Sequence, residues 1–391
     1  MSAVRRDCDL TMTSMEYRRS GSTFLALLLT VSAAPFLFTA VQPATRGLGT
    51  PQYLVGAIAL VLAASNAHVF STLYLLGGAK QLKGVQRAGL KILAVPLAFF
   101  ALNVGLAYAF GPLALTAVLP LFVVYGTYHF GRQNLGVHAY ACRITQGRAM
   151  SAVERRTIVA GVFCGIVQSF VILVTPLFGR KIVSPQTLDA FGAALRILVV
   201  VGYAAISVVV AMHVVSNRRR YQMASLATYL ISVYFFAPVM ASPWFLAAAT
   251  YAHGMQYLVF LGYHAAGDAR LKAEANRTGG TSAAVRPFAP FARMAVLVPF
   301  LILVTWTFAG HVFGRTVHTQ DLGLAVSPTG GLILYLTAIF NAATLSHYWI
   351  DQHLWRFTSP ERREWLLTYF PFLGGLERPR TPVAVNQMLG T

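Results

Sequence analysis

Apolar runs of about twenty residues, long enough to cross a bilayer as helix, recur from end to end of this chain. They are separated by short loops rich in arginine and lysine. Ten segments reach that length, at 22–40, 53–78, 90–110, 113–130, 157–179, 191–215, 224–241, 243–265, 291–314 and 330–350. Lipid offers no hydrogen-bond partners, so such a segment must satisfy its backbone internally, as a helix. The expected fold is therefore all-α, a polytopic helix bundle of ten transmembrane helices. A cytoplasmic tail would cover residues 1–21, the transmembrane domain 22–356 and a second cytoplasmic tail 357–391.

Charge supports this reading. Only 11% of the residues are charged, against about 25% in a soluble domain. The net charge of +19 would suit nucleic acid if it formed one patch, but it is distributed over the loops. With ten helices, twenty-five basic residues fall on one side, including Arg18, Arg19, Arg132, Arg148 and Arg218–Arg220. Four fall on the other, namely Arg46, Arg180, Lys181 and Arg315. Positive loops stay inside, so both termini are expected in the cytoplasm of a multi-pass inner-membrane protein. Membrane lipids are then expected partners and nucleic acid is not. Three cysteines, Cys8, Cys142 and Cys164, show no paired spacing and support neither a disulfide framework nor a zinc ribbon.

Ionisable groups inside a bilayer are costly and usually mark a site. Eight of the ten histidines fall in even-numbered helices or their cytoplasmic extensions. In the stretch 252–268, His253, Gln256 and Tyr257 share one helix face. His264 lies three turns further along nearly the same face, with Asp268 one turn beyond it. Six histidines have a polar residue four positions on: His68/Thr72, His129/Gln133, His213/Asn217, His253/Tyr257, His264/Asp268 and His347/Asp351. Such a partner could hold the second nitrogen of a metal-bound imidazole.

Carboxylates are scarce. None occurs between Glu16 and Glu154, which argues against a carrier driven by buried acids. What remains is a histidine-dominated site with Asp351 at the membrane boundary. Neutral imidazole with a carboxylate suits iron, although another transition metal or haem fits the same residue types. The expected ligands are His129, His253, His264 and His347, with His68, His213 and Asp351 behind them. Tyr257 and Gln133 would orient ligands or substrate. His253 and His264 are about 16 Å apart along a helix axis, so they belong to different layers. The expectation is that His264 joins His129, His213 and His347, while His253 joins His68 deeper in the membrane.

Three blocks, YHFGRQ at 128–133, AHGMQY at 252–257 and HYWIDQHLWR at 347–356, resemble those of bacterial polytopic histidine-rich membrane proteins. In general plan these are similar to the Brp/Blh-type carotene dioxygenases. The resemblance implies a multi-helix membrane enzyme with histidine-bound non-haem iron. The HxxHH boxes of membrane fatty-acid desaturases and hydroxylases are not present in the sequence. The function expected is a metal-dependent oxidoreductase, a non-haem iron oxygenase acting on a lipophilic substrate, with electrons from a cytosolic donor. The alternatives are a haem-binding membrane protein and a transporter or metal-ion permease with intramembrane histidines.

Overall fold

In a computed structural model of the chain, the described residues are 14–45, 68, 91–171, 184–240, 245–277, 338–339, 341–351 and 360–374. Among them the architecture is all-helical. The helices are α1 (Ser14–Thr45), α2 (Lys91–Phe110), α3 (Pro112–Gln146), α4 (Ala152–Ser169), α5 (Pro185–Ser216), α6 (Met223–Tyr234), α7 (Phe245–Arg277) and α8 (Pro360–Tyr369). Residues 341–351 are also helical, and short 3₁₀ turns follow α5, α6 and α8.

Among the described residues, three stretches are long and apolar enough to cross a membrane: Arg18–Leu37 in α1, Pro185–Ser216, and Met223–Met240 spanning α6 and the turn after it. The expected spans at 53–78 and 291–314 lie outside the described residues, apart from His68, as do residues 330–337 and 340 of the last one. Two helices run well beyond their apolar segments. α3 continues to Gln146 and α7 to Arg277, carrying the motifs after His129 and His253 on continuous helix.

Local chemistry explains the boundaries. Pro185 begins α5, where its missing N–H costs nothing, and the Ser184 hydroxyl accepts the Thr187 N–H. A reciprocal capping box, Ser151 with Glu154, starts α4. Gly147 ends α3 at φ 63°, the left-handed conformation in which a Cβ is disfavoured.

α3 is central: it packs against α2, α4, α6 and α7, while α1 lies along α7. α4 also packs on α5 and α6. The approach of α4 to its neighbours needs small residues, since a Cβ on Gly161 would overlap the Val233 carbonyl oxygen and one on Gly131 would overlap Val162. Residues 360–374 fall in what the sequence suggests is a tail, yet they pack inward. Leu366, Phe370, Phe372 and Leu373 join Phe24, Leu28, Val137, Tyr140 and Phe260 in one apolar cluster.

Candidate metal centre

α3 and α7 bring His129 and His253 together at the middle of the bundle. His347 enters from the 341–351 helix, and His68 completes the group. All four side chains are buried, as is Asp351. Potential ligand atoms of His68, His253 and His347 lie within 4.8 Å of one another, and so do those of His129, His347 and Asp351. The two triads share His347. These buried groups can hold a metal ion.

The ring separations can be compared with those that imidazoles around one ion would have. Neighbouring centroids are 4.6 Å apart for His68–His253, 4.5 Å for His68–His347, 4.8 Å for His129–His253 and 5.3 Å for His129–His347. Across the group, His253 and His347 are 6.2 Å apart. Metal–nitrogen bonds of about 2.0–2.1 Å would put each centroid about 3.2 Å from an ion. Centroids would then be about 4.5 Å apart at right angles and about 6.4 Å apart when opposite. The observed separations are of that size, but the ligand atoms close up as two triads that meet at His347 rather than as one set of four.

Asp351 closes one side. Its Oδ2 lies 3.7 Å from His347 Nε2 and 3.8 Å from His129 Nε2. Among the described residues, neither ring nitrogen of His253 has a hydrogen-bond partner, and neither does Nε2 of His129. A buried polar atom left unsatisfied costs about 1–3 kcal/mol, and a shared metal ion would remove that cost.

Hydrogen bonds outside the cluster set its register. The Gln133 amide donates to the His253 carbonyl oxygen (3.0 Å) and to Gln256 Oε1 (2.9 Å). The buried Gln256 amide donates to Ser32 Oγ (2.7 Å) and Asn134 Oδ1 (3.0 Å). This clamp joins α1, α3 and α7 one turn from His129 and His253. Aromatic faces restrict ring rotation: Tyr348 stacks on His129 at 4.3 Å and 23°, and Phe130 lies against His253 at 4.4 Å. Tyr257 stands 5.6 Å from His68 and 5.7 Å from His347.

The cluster thus gathers His68, His129, His253, His347 and Asp351, with Tyr257 beside them and Gln133 supporting from α3. His68 and His253 lie together, and His347, expected with His129 in another layer, has its ligand atom within reach of both groups. The cluster leaves out two expected ligands. His264 stacks on Tyr369 of α8, with centroids 4.1 Å apart at 18°. His213 faces Ser151 Oγ at 3.4 Å and the Asn217 amide, at the far end of α5. Sequence reasoning did not select Ser32, Asn134 or Tyr348. Gln256 stood on the marked face of α7, but its partners lie on other helices.

A third group, His138, Cys142 and Glu154, also has ligand atoms within 4.8 Å. Its chemistry is different. Arg148 donates to both Glu154 oxygens at 2.9 and 2.7 Å, Tyr221 donates to Oε1 at 2.6 Å and the Ser151 N–H to Oε2 at 2.6 Å. The carboxylate is saturated. Burial alone would raise its pKa, but bonds from Arg148, His138, Tyr221 and the Ser151 backbone outweigh that and hold it far below the usual carboxylate range. Burial, with the Glu154 charge, pushes the Cys142 thiol up to about 12, which keeps it neutral and a poor ligand. This group is a structural knot between α3, α4 and the loop before α6.

No protein-family model matches the chain, and neither a curated protein nor a solved structure is significantly similar to it.

Proposed function

We propose that this chain is a ten-helix inner-membrane protein with cytoplasmic termini, and that it acts as a metal-dependent oxidoreductase. The reading that best fits the site is a non-haem iron oxygenase working on a lipophilic substrate, the activity implied by its resemblance to Brp/Blh-type dioxygenases. One observation carries it: four imidazoles and one carboxylate converge, buried, inside an apolar helical bundle. Neutral imidazole suits iron, copper, zinc or nickel, and the carboxylate hardens the set toward iron or manganese. Bound iron would supply redox chemistry with O₂, and the surrounding apolar residues would exclude water.

His68, His129, His253 and His347 would hold the metal, with Asp351 supplying negative charge on one side. Tyr257, close to two of the rings, would orient the substrate, and Gln133 would fix the α7 backbone at His253. Electrons would come from a cytosolic donor.

Haem is the poorer alternative. A macrocycle between His253 and His347 would need the flanks that the rings of His68 and His129 fill. A permease needs ligands that open and close, whereas these histidines are held by stacking and by the amide clamp. The test is metal analysis of detergent-purified protein together with its absorption spectrum. Near-stoichiometric iron without a Soret band is expected. A Soret band would replace this reading with the haem one, and metal-dependent uptake into liposomes would replace it with the permease.

A further inference from the structure

We infer that Arg218–Arg220, with the exposed Met212, Val215 and Met223, form a binding site for an anionic phospholipid. The inference rests on α5 crossing a membrane and is independent of the metal centre.

α5 records its own depth. Arg196 is exposed, and from Ile197 to Val215 the helix carries no charged residue. That stretch is nineteen residues, about 28 Å of helix, close to the roughly 30 Å of a hydrocarbon core. Its outward side chains are apolar, with Ile197 65%, Val208 60% and Met212 66% exposed. Its polar groups point inward: Tyr203 donates to the Gly161 carbonyl oxygen and Ser207 bonds to Tyr234. Arginine brackets the span at both ends, so Arg218–Arg220 sit at the level of lipid phosphates.

The turn is held in place. Its backbone closes through the Arg220 N–H on the Asn217 carbonyl oxygen. Tyr221, just after it, donates to Glu154, and Gln222 donates to the Thr145 carbonyl oxygen. The three guanidinium side chains are exposed, and among the described residues no carboxylate pairs with them. Glu154, the nearby acid, is buried and already bonded by Arg148. Arg155 and Arg156 add exposed charge at the same end of α4.

Lipid fits this surface better than an acidic protein. Met212, Val215 and Met223 flank the turn at 66%, 70% and 83% exposure. Acyl chains would cover these side chains while the headgroup phosphate meets the arginines. An acidic protein docking from water would reach the charges only.

The test uses the full chain in nanodiscs of phosphatidylcholine with a minor share of phosphatidylglycerol, with retained lipid counted by native mass spectrometry. The triple variant R218Q/R219Q/R220Q should retain at least about fivefold less phosphatidylglycerol. Arg18→Gln with Arg19→Gln, exposed arginines on α1, should change retention little. Met223→Gln keeps every charge and should still lower retention, which a site for free anion would not show. Added inorganic phosphate should fail to displace the lipid. Undiminished retention in the triple variant would overturn the proposal and leave the arginines to an acidic protein. So would displacement by phosphate, or an equal loss in the α1 control. The conservative variant R218K/R219K/R220K should keep most of the retention, which separates loss of the site from loss of the fold.

Discussion

His347 and Asp351 stand one helical turn apart and bring Nε2 and Oδ2 to 3.7 Å, while the same carboxylate oxygen lies 3.8 Å from His129 Nε2 on α3. Asp351 therefore faces two histidines from two helices. Taking a carboxylate out of water is costly even when it lies beside imidazoles. A cation held among them would change the sign of that balance. Asp351→Asn should accordingly bind metal at least about tenfold more weakly, measured by chelator competition. His347→Ala, which removes the residue common to both triads, should leave no stoichiometric metal. If both variants keep metal at the native level, the cluster does not bind it.

Gln256 is not among the candidate ligands, yet it should control the metal centre. Its side chain joins Ser32, Gln133 and Asn134 across three helices, and Gln133 in turn holds the His253 carbonyl. Gln256→Leu keeps the volume and removes the clamp. The expected outcome is a metal affinity reduced about 10- to 100-fold and an altered visible spectrum of the Co(II)-substituted protein, at unchanged membrane expression. A purely structural role would lower expression and leave the spectrum of the folded fraction as it was.

Much of this fold is legible in the sequence because lipid narrows the choices. Apolar length sets α5 and the Met223–Met240 span, and Ser184–Pro185 and Ser151–Glu154 mark helix starts by ordinary capping rules. The histidine face of α7 follows from 3.6-residue periodicity, and the His347–Asp351 pair from i,i+4 spacing. Periodicity gives direction around a helix but not the depth of one helix against another. His264 shares the face of His253, yet three turns separate them, and α8 rather than α3 meets it there. His213 fails for the same reason: it lies level with Ser151 at the end of α5. The contact of Ser32 with Gln256 joins residues 224 positions apart, and nothing in either local pattern announces it.

The saturated Glu154 knot predicts an acid-sensitive end of the bundle. The folded pKa of Glu154 is depressed, so its contribution to stability is fully present above the unfolded value, about 4.3. It is lost progressively as pH falls from there toward the folded value. Glu154→Gln should cost on the order of 2 kcal/mol at neutral pH, since Arg148 is only partly shielded from water. The difference from wild type should narrow below about pH 4. Thermal unfolding of both proteins across the pH range measures this, and a difference that does not change with pH would remove the carboxylate from the account.

His264 offers the sharpest separation of placement from residue type. Its ring lies flat on Tyr369, and one turn along α7 a Cβ on Gly267 would come within 2.8 Å of the Tyr369 carbonyl oxygen. Arg270 then donates to the Thr368 carbonyl oxygen at 2.9 Å. The three contacts follow one side of α7, so the histidine is part of the seat for α8 and the residues after it. An aromatic pair of this kind contributes about 0.5–1.5 kcal/mol beyond the area it buries. His264→Ala should therefore loosen residues 360–374 and speed their cleavage by a protease in detergent solution. Bound metal should stay at the native level, and His264→Phe, which restores a flat ring, should recover much of the protection. Loss of metal in His264→Ala with the C-terminal segment still protected would return His264 to the ligand set and refute the position described for it.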